Sequence, residues 1–229
     1  MLLLIIPVTL LILGVTSVSG LINSFGSALG VGAPPQASVI SSQTIIEGIQ
    51  PMGELVSVSV QLAKADVQVN VTQGTMNACG YGASHVAQGA VEAGIDLTKI
   101  TAGALSYDEA RGTYVLTVPE PQLTSCRVDY IRQYDRSFTT CSVDWDEARL
   151  LANYLALTQF RDDAVEGGIL TRAESETKVV LGNFIRLVTG HPVEIDFAPS
   201  PEATSMPSSC EPDLPAGWSY SPSTNLWAK

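Results

Sequence analysis

Glu54-Leu55-Val56-Ser57-Val58-Ser59-Val60-Gln61-Leu62, followed five residues on by Val67-Gln68-Val69-Asn70-Val71, is the stretch that decides the fold class. Val56, Val58, Val60 and Leu62 alternate with Ser57, Ser59 and Gln61, and three further valines alternate with Gln68 and Asn70. That period of two is the mark of strands with one face buried and one face wet. Working toward the C-terminus, residues 85–93, 114–118 and 126–134 read as further strands, with turns at Gly74, Gly103 and Gly112. Spacings this short suit antiparallel pairing.

The period then changes. Asp144 can cap a helix, with Glu147 reaching back from the third position, and Ala148, Leu151, Ala152, Leu155 and Phe160 supply an apolar face as far as Gly167-Gly168. Thr171-Arg172-Ala173-Glu174 opens a second helix with a capping box, striped by Ala173, Val180, Leu181, Phe184 and Val188 and stopped by Gly190 and Pro192. Val193, Ile195 and Phe197 form a last strand. The expected fold is α+β: one antiparallel sheet covered on one face by two C-terminal helices, with Phe160, Leu181 and Phe184 in a shared core.

Toward the N-terminus, the run beginning at Leu2 and ending at Ile22 carries no ionisable side chain. As a helix it measures about 31 Å, the thickness of a bilayer hydrocarbon core. Residues 1–22 are therefore expected to anchor the chain in a lipid bilayer; a cleaved signal is the alternative, since Val15-Thr16-Ser17-Val18-Ser19-Gly20 is small enough to be cut. The first basic residue is Lys64, so nothing holds the C-terminal side in the cytoplasm, and an extracytoplasmic domain is expected. Residues 23–37, rich in Gly, Ser, Ala and Pro, read as a flexible linker, and a short amphipathic helix is expected over 38–49. The α+β domain then occupies 38–198.

The chain has 229 residues, and 12 Lys plus Arg against 23 Asp plus Glu give a formal charge of −11, which excludes nucleic acid as a main partner. Four cysteines in a membrane-targeted chain favour disulfides. Cys126 is expected to pair with Cys141 across a turn near Asp135, leaving Cys79 for Cys210. No metal or cofactor is expected: there is no C-x-x-C, and two His residues are too few for a metal site. Residues 199–229 form a Pro- and Ser-rich tail, with six prolines in 31 residues and no regular secondary structure expected. Against a free tail stand Trp218, Tyr220 and Trp227, and Cys210 as a tether.

Glu54-Leu55-Val56 ahead of a strand, the block Gly89-Ala90-Val91-Glu92-Ala93-Gly94-Ile95-Asp96-Leu97, the segment Val118-Pro119-Glu120-Pro121, and Gly168-Ile169-Leu170 with Ala173 resemble the membrane-anchored prokaryotic family called domain of unknown function 4230. The resemblance covers roughly residues 40–197 and leaves out Cys79 and the proline-rich end. It implies one N-terminal anchor and an extracytoplasmic α+β domain. It brings no activity and no catalytic residues.

Motifs of chemistry are scarce. Gly82-Ala83-Ser84-His85-Val86 lacks the closing glycine of a nucleophile elbow, and neighbours in a strand point to opposite faces, so Ser84 and His85 cannot act together. Ser175-x-x-Lys178 sits inside a helix without companion motifs, and His191 follows a helix end where a cation suits the dipole. Glu92 and Asp96 flank Gly94 and are the one candidate ligand site: two carboxylates at a strand end can do acid/base work if their pKa values are driven apart. The structural reading is that Glu92 lines the polar face of a strand and Asp96 caps the turn after it. Two functions follow: a non-catalytic binding or envelope-associated module with an unknown extracytoplasmic partner or ligand, or an envelope-metabolism enzyme using carboxylates near Glu92 and Asp96.

Overall fold

The computed structural model describes Ile45, Ile46 and Ile49, residues 53–199 and residues 206–229. The anchor expected over 2–22, the linker over 23–37 and most of the helix expected over 38–49 lie outside the described residues; Ile45, Ile46 and Ile49 are helical and buried. Among the described residues no helix is long and apolar enough to cross a membrane.

The two alternating runs after Gly53 form one strand, β1 (Glu54–Thr72), hydrogen-bonded antiparallel to β2 (Tyr81–Asp96). Val58, Val60 and Leu62 turn inward at even positions, whereas Val67, Val69 and Val71 turn inward at odd ones. A strict period of two cannot satisfy both, because a shift of one residue sends every later side chain to the wrong face. A bulge resolves the conflict: Lys64 pairs with Ala87 but Val67 with His85, one extra residue in β1. Lys64, the last inward residue before the bulge, meets Asp163 at 2.9 Å.

Among the described residues eight strands form two sheets, not one. β5 (Gln122–Arg136), β2 and β1 are the antiparallel heart of the first, which β8 (Leu226–Ala228) and β7 (Ser219–Ser221) extend; β3 (Leu105–Asp108), β4 (Thr113–Pro119) and β6 (Val193–Ala198) make the second. The pairings β1 with β8 and β4 with β6 are parallel, a departure from the expected antiparallel sheet. Both join segments far apart in the chain, which periodicity does not report.

Helix α1 (Trp145–Glu166) lies on the first sheet, where Ala148, Ala152, Ala156 and Ala164 let its backbone approach the small residues of β2. The Asp144 carboxylate accepts from the Asp146 and Glu147 amides, but Glu147 does not reach back as a capping box requires: it accepts from Trp218 Nε1 at 2.8 Å and Lys229 Nζ at 2.7 Å. Helix α2 (Ile169–Thr189) starts directly after Gly168, whose φ of 77° makes a sharp left-handed corner, so Thr171 lies within the helix and no capping box opens it. Its buried stripe is Ile169, Ala173, Thr177, Leu181 and Ile185, while Val180 and Val188 are exposed. A spacing of four drifts around the helix by about 40° per step, because four residues exceed one 3.6-residue turn. The stripe thus faces the first sheet at Ile169 and Ala173 and the second at Leu181 and Ile185. For the same reason the expected shared core is two cores. Phe160 belongs to the first and Leu181 to the second, with Phe184 only half-buried beside it.

Residues 206–229, expected to lack regular structure, end in the β7–β8 hairpin. Trp227 is fully buried on Tyr154, Trp218 and Tyr220, and Thr72 Oγ1 donates to the Trp227 carbonyl at 3.0 Å. The cysteines pair as Cys79–Cys141 and Cys126–Cys210, correcting the expected Cys126–Cys141 and Cys79–Cys210 bridges. Cys126 sits ten residues back from the end of β5, about 33 Å of extended chain. Cys141 lies past that end, beside the β1–β2 loop that carries Cys79. Cys126 turns inward instead and meets Cys210, where Arg161 donates to the Cys210 carbonyl at 3.1 Å.

Candidate functional site

Glu92 lies on the face of β2 away from α1, half-buried, and accepts from Arg127 Nη1 at 2.7 Å and from Ser59 Oγ at 3.5 Å. Arg127 also holds Asp129 at 3.0 Å, so these carboxylates keep its guanidinium above its ordinary pKa. Asp96 ends the same strand and accepts from the Thr98 amide and hydroxyl, capping the 3-10 turn Leu97–Lys99. Four residues of strand put about 13 Å between the two positions. Glu92 and Asp96 are therefore engaged separately and share no partner among the described residues.

Ser84 and His85 fall on opposite faces of β2. His85 is completely buried, and neither ring nitrogen has a partner of hydrogen-bonding geometry. Burial lowers its pKa below the usual 6.5, with the backbone of its cross-strand neighbour Val67 opposing in part. Ser175 Oγ donates to the Thr171 carbonyl, and Lys178 Nζ stands 5.4 Å from the Phe197 ring centroid, so the S-x-x-K pattern brings no base to the serine. His191 packs edge-on against Tyr107 and Tyr114.

The sequence did not reveal a cleft of about 600 Å³ at the ends of the parallel strands β4 and β6. Val118 and Pro119 end one strand, Ala198 and Pro199 end and follow the other, and the connection from Asp96 to β3 brings Thr98, Lys99, Ile100, Thr101 and Ala104 across them. Ile100 and Val118 are buried, whereas Lys99, Thr101 and Thr117 are exposed. The mouth is thus polar and the floor apolar. Val118-Pro119-Glu120-Pro121 was a visible signal, but a strand-ending proline does not say which distant strand lies beside it.

At the opposite end of the first sheet, the loops before β2 and after β5 are tied by Cys79–Cys141 and expose Met76 and Phe138 almost completely. Met76 and Asn77 both have positive φ, 54° and 60°, an unusual conformation for residues other than glycine.

These features describe an α+β domain with two disulfides, an apolar cleft at one end and two exposed apolar side chains at the other. Residues 47–195 match the family model described as protein of unknown function (DUF4230), and the chain belongs to that family. No curated protein and no solved structure matches it.

Proposed function

We propose that this chain is a membrane-anchored, extracytoplasmic module that binds a ligand or partner without chemically altering it. The observation that carries the reading is the composition of the cleft. Among its described lining residues only Lys99 is ionisable, and the carboxylates that could act as acid and base, Glu92 and Asp96, are committed to Arg127 and Thr98. Catalysis by general acid and base needs positioned groups within reach of one reacting centre. Binding needs only a shaped apolar surface with a few polar groups to orient the ligand.

The uncharged run from Leu2 to Ile22 supports the anchor, and two disulfides support an oxidising compartment. Protease added to intact spheroplasts carrying the full chain tests the placement. Digestion of the domain is the expected result; protection would put it on the cytoplasmic side and overturn the reading.

A further inference from the structure

We propose that the cleft at the ends of β4 and β6 takes the apolar tail of a single-chain amphiphile, with the Lys99 ammonium on its anionic head. The inference rests on the binding reading above and names the ligand class. Its volume of about 600 Å³ lies within the range of small-molecule sites. Ile100 and Val118 form a buried floor, and Ala104, Pro119, Ala198 and Pro199 continue the apolar wall. Among the described lining residues the polar groups stand at the mouth. Among the described residues the Thr101 and Thr117 hydroxyls make no hydrogen bond within the protein, whereas the Thr98 hydroxyl is held by Asp96. An amphiphile matches that division, with its tail on the floor and its head at the rim.

The charge pattern points to an anionic head. Acids outnumber bases 23 to 12; Lys64, Arg111, Arg127, Arg149, Arg161 and Lys229 are taken by carboxylates, whereas Lys99, Arg132, Arg136, Arg172, Lys178 and Arg186 make no ion pair among the described residues. Of these only Lys99 lines the cleft, and the described lining residues include no acid that could neutralise it. Ile100 and Val118 share a core cluster with Ile45, Ile46 and Ile49, the described helical residues that precede β1. A peptide is the poorer occupant: the described lining residues include no aromatic side chain, and β4 is already paired on both sides, by β3 and β6.

The test uses the full chain in phosphatidylcholine nanodiscs, exposed to a diazirine-bearing palmitate, photolysed and mapped by peptide mass. Label is expected on peptides containing Thr98–Ala104 or Thr117–Pro119, competed by oleate and about tenfold less by oleyl alcohol, the difference made by one charged contact. Lys99→Glu, a change at an exposed side chain, should erase the preference for oleate. Ala104→Trp should abolish the cleft label, with the near-ultraviolet circular dichroism of the native tryptophans as the check on folding. Label confined to the N-terminal run, label indifferent to both substitutions, or equal competition by the alcohol and the acid would overturn the proposal. A domain digested in spheroplasts but unlabelled in the cleft defeats only this inference; a protected domain defeats the broader reading whatever the label shows.

Discussion

Gly89 is where the central strand meets the helix above it. A Cβ there would overlap the Arg127 carbonyl oxygen on the neighbouring strand and the Phe160 ring on α1. Gly89→Ala is expected to lower stability by about 1–3 kcal/mol, as overpacking does, in urea unfolding. Gly103→Ala, where a Cβ would touch nothing, should leave the midpoint unchanged. His85 gives a pH signature. Its folded pKa lies below the 6.5 of the unfolded chain, so above 6.5 both states are neutral and stability is unaffected. Below that, the unfolded state takes the proton first, and stability falls as pH drops toward the folded value. The urea midpoint should therefore decrease from pH 7.5 to pH 5.5 by more in the native chain than in His85→Leu; equal slopes would remove His85 as the cause. At this scale the sequence was informative wherever the cause is local. Asp96 as a cap and the opposite facing of Ser84 and His85 follow from neighbours in the chain, but the demand for glycine at 89 depends on a ring 71 residues away.

Elements were legible in kind and less so in arrangement. Alternation located β1, β2, β4, β5 and β6, and a 3.6-residue period with Gly167-Gly168 and Gly190 bounded both helices. What alternation cannot show is a bulge joining two runs of opposite parity, because the pattern on either side is equally regular. Along β5, register shifts opposite Ser84/His85, Gln88/Gly89 and Glu92/Ala93 blur the alternation further. The drift of the α2 stripe from one sheet to the other separates two phenylalanines that a single core would equate. Phe160→Ala should cost about 3–5 kcal/mol, as a fully buried ring does, while Phe184→Ala should cost about 1 kcal/mol. Equal losses in chemical denaturation would mean that the two helices share one core after all.

On the scale of the whole molecule, the last 24 residues are the part least legible in the sequence. Prolines at 207, 212, 215 and 222 exclude long strands, and only tertiary contact gives the segment its place: Cys210 on Cys126, Trp218 on Glu147, Trp227 beneath Tyr220, and β8 alongside the end of β1. The aromatics and Cys210 hinted at such a tie without saying where it led. Both disulfides pin this topology, one closing the loop end of the first sheet and the other fastening the C-terminal segment to β5. Peptide mapping without reduction, on the full chain taken from cells whose thiols are blocked at lysis, tests the fold and the oxidising compartment together. The predicted result is Cys79 joined to Cys141 and Cys126 joined to Cys210, with no blocked thiol; a Cys126–Cys141 peptide, or four blocked thiols, would contradict it.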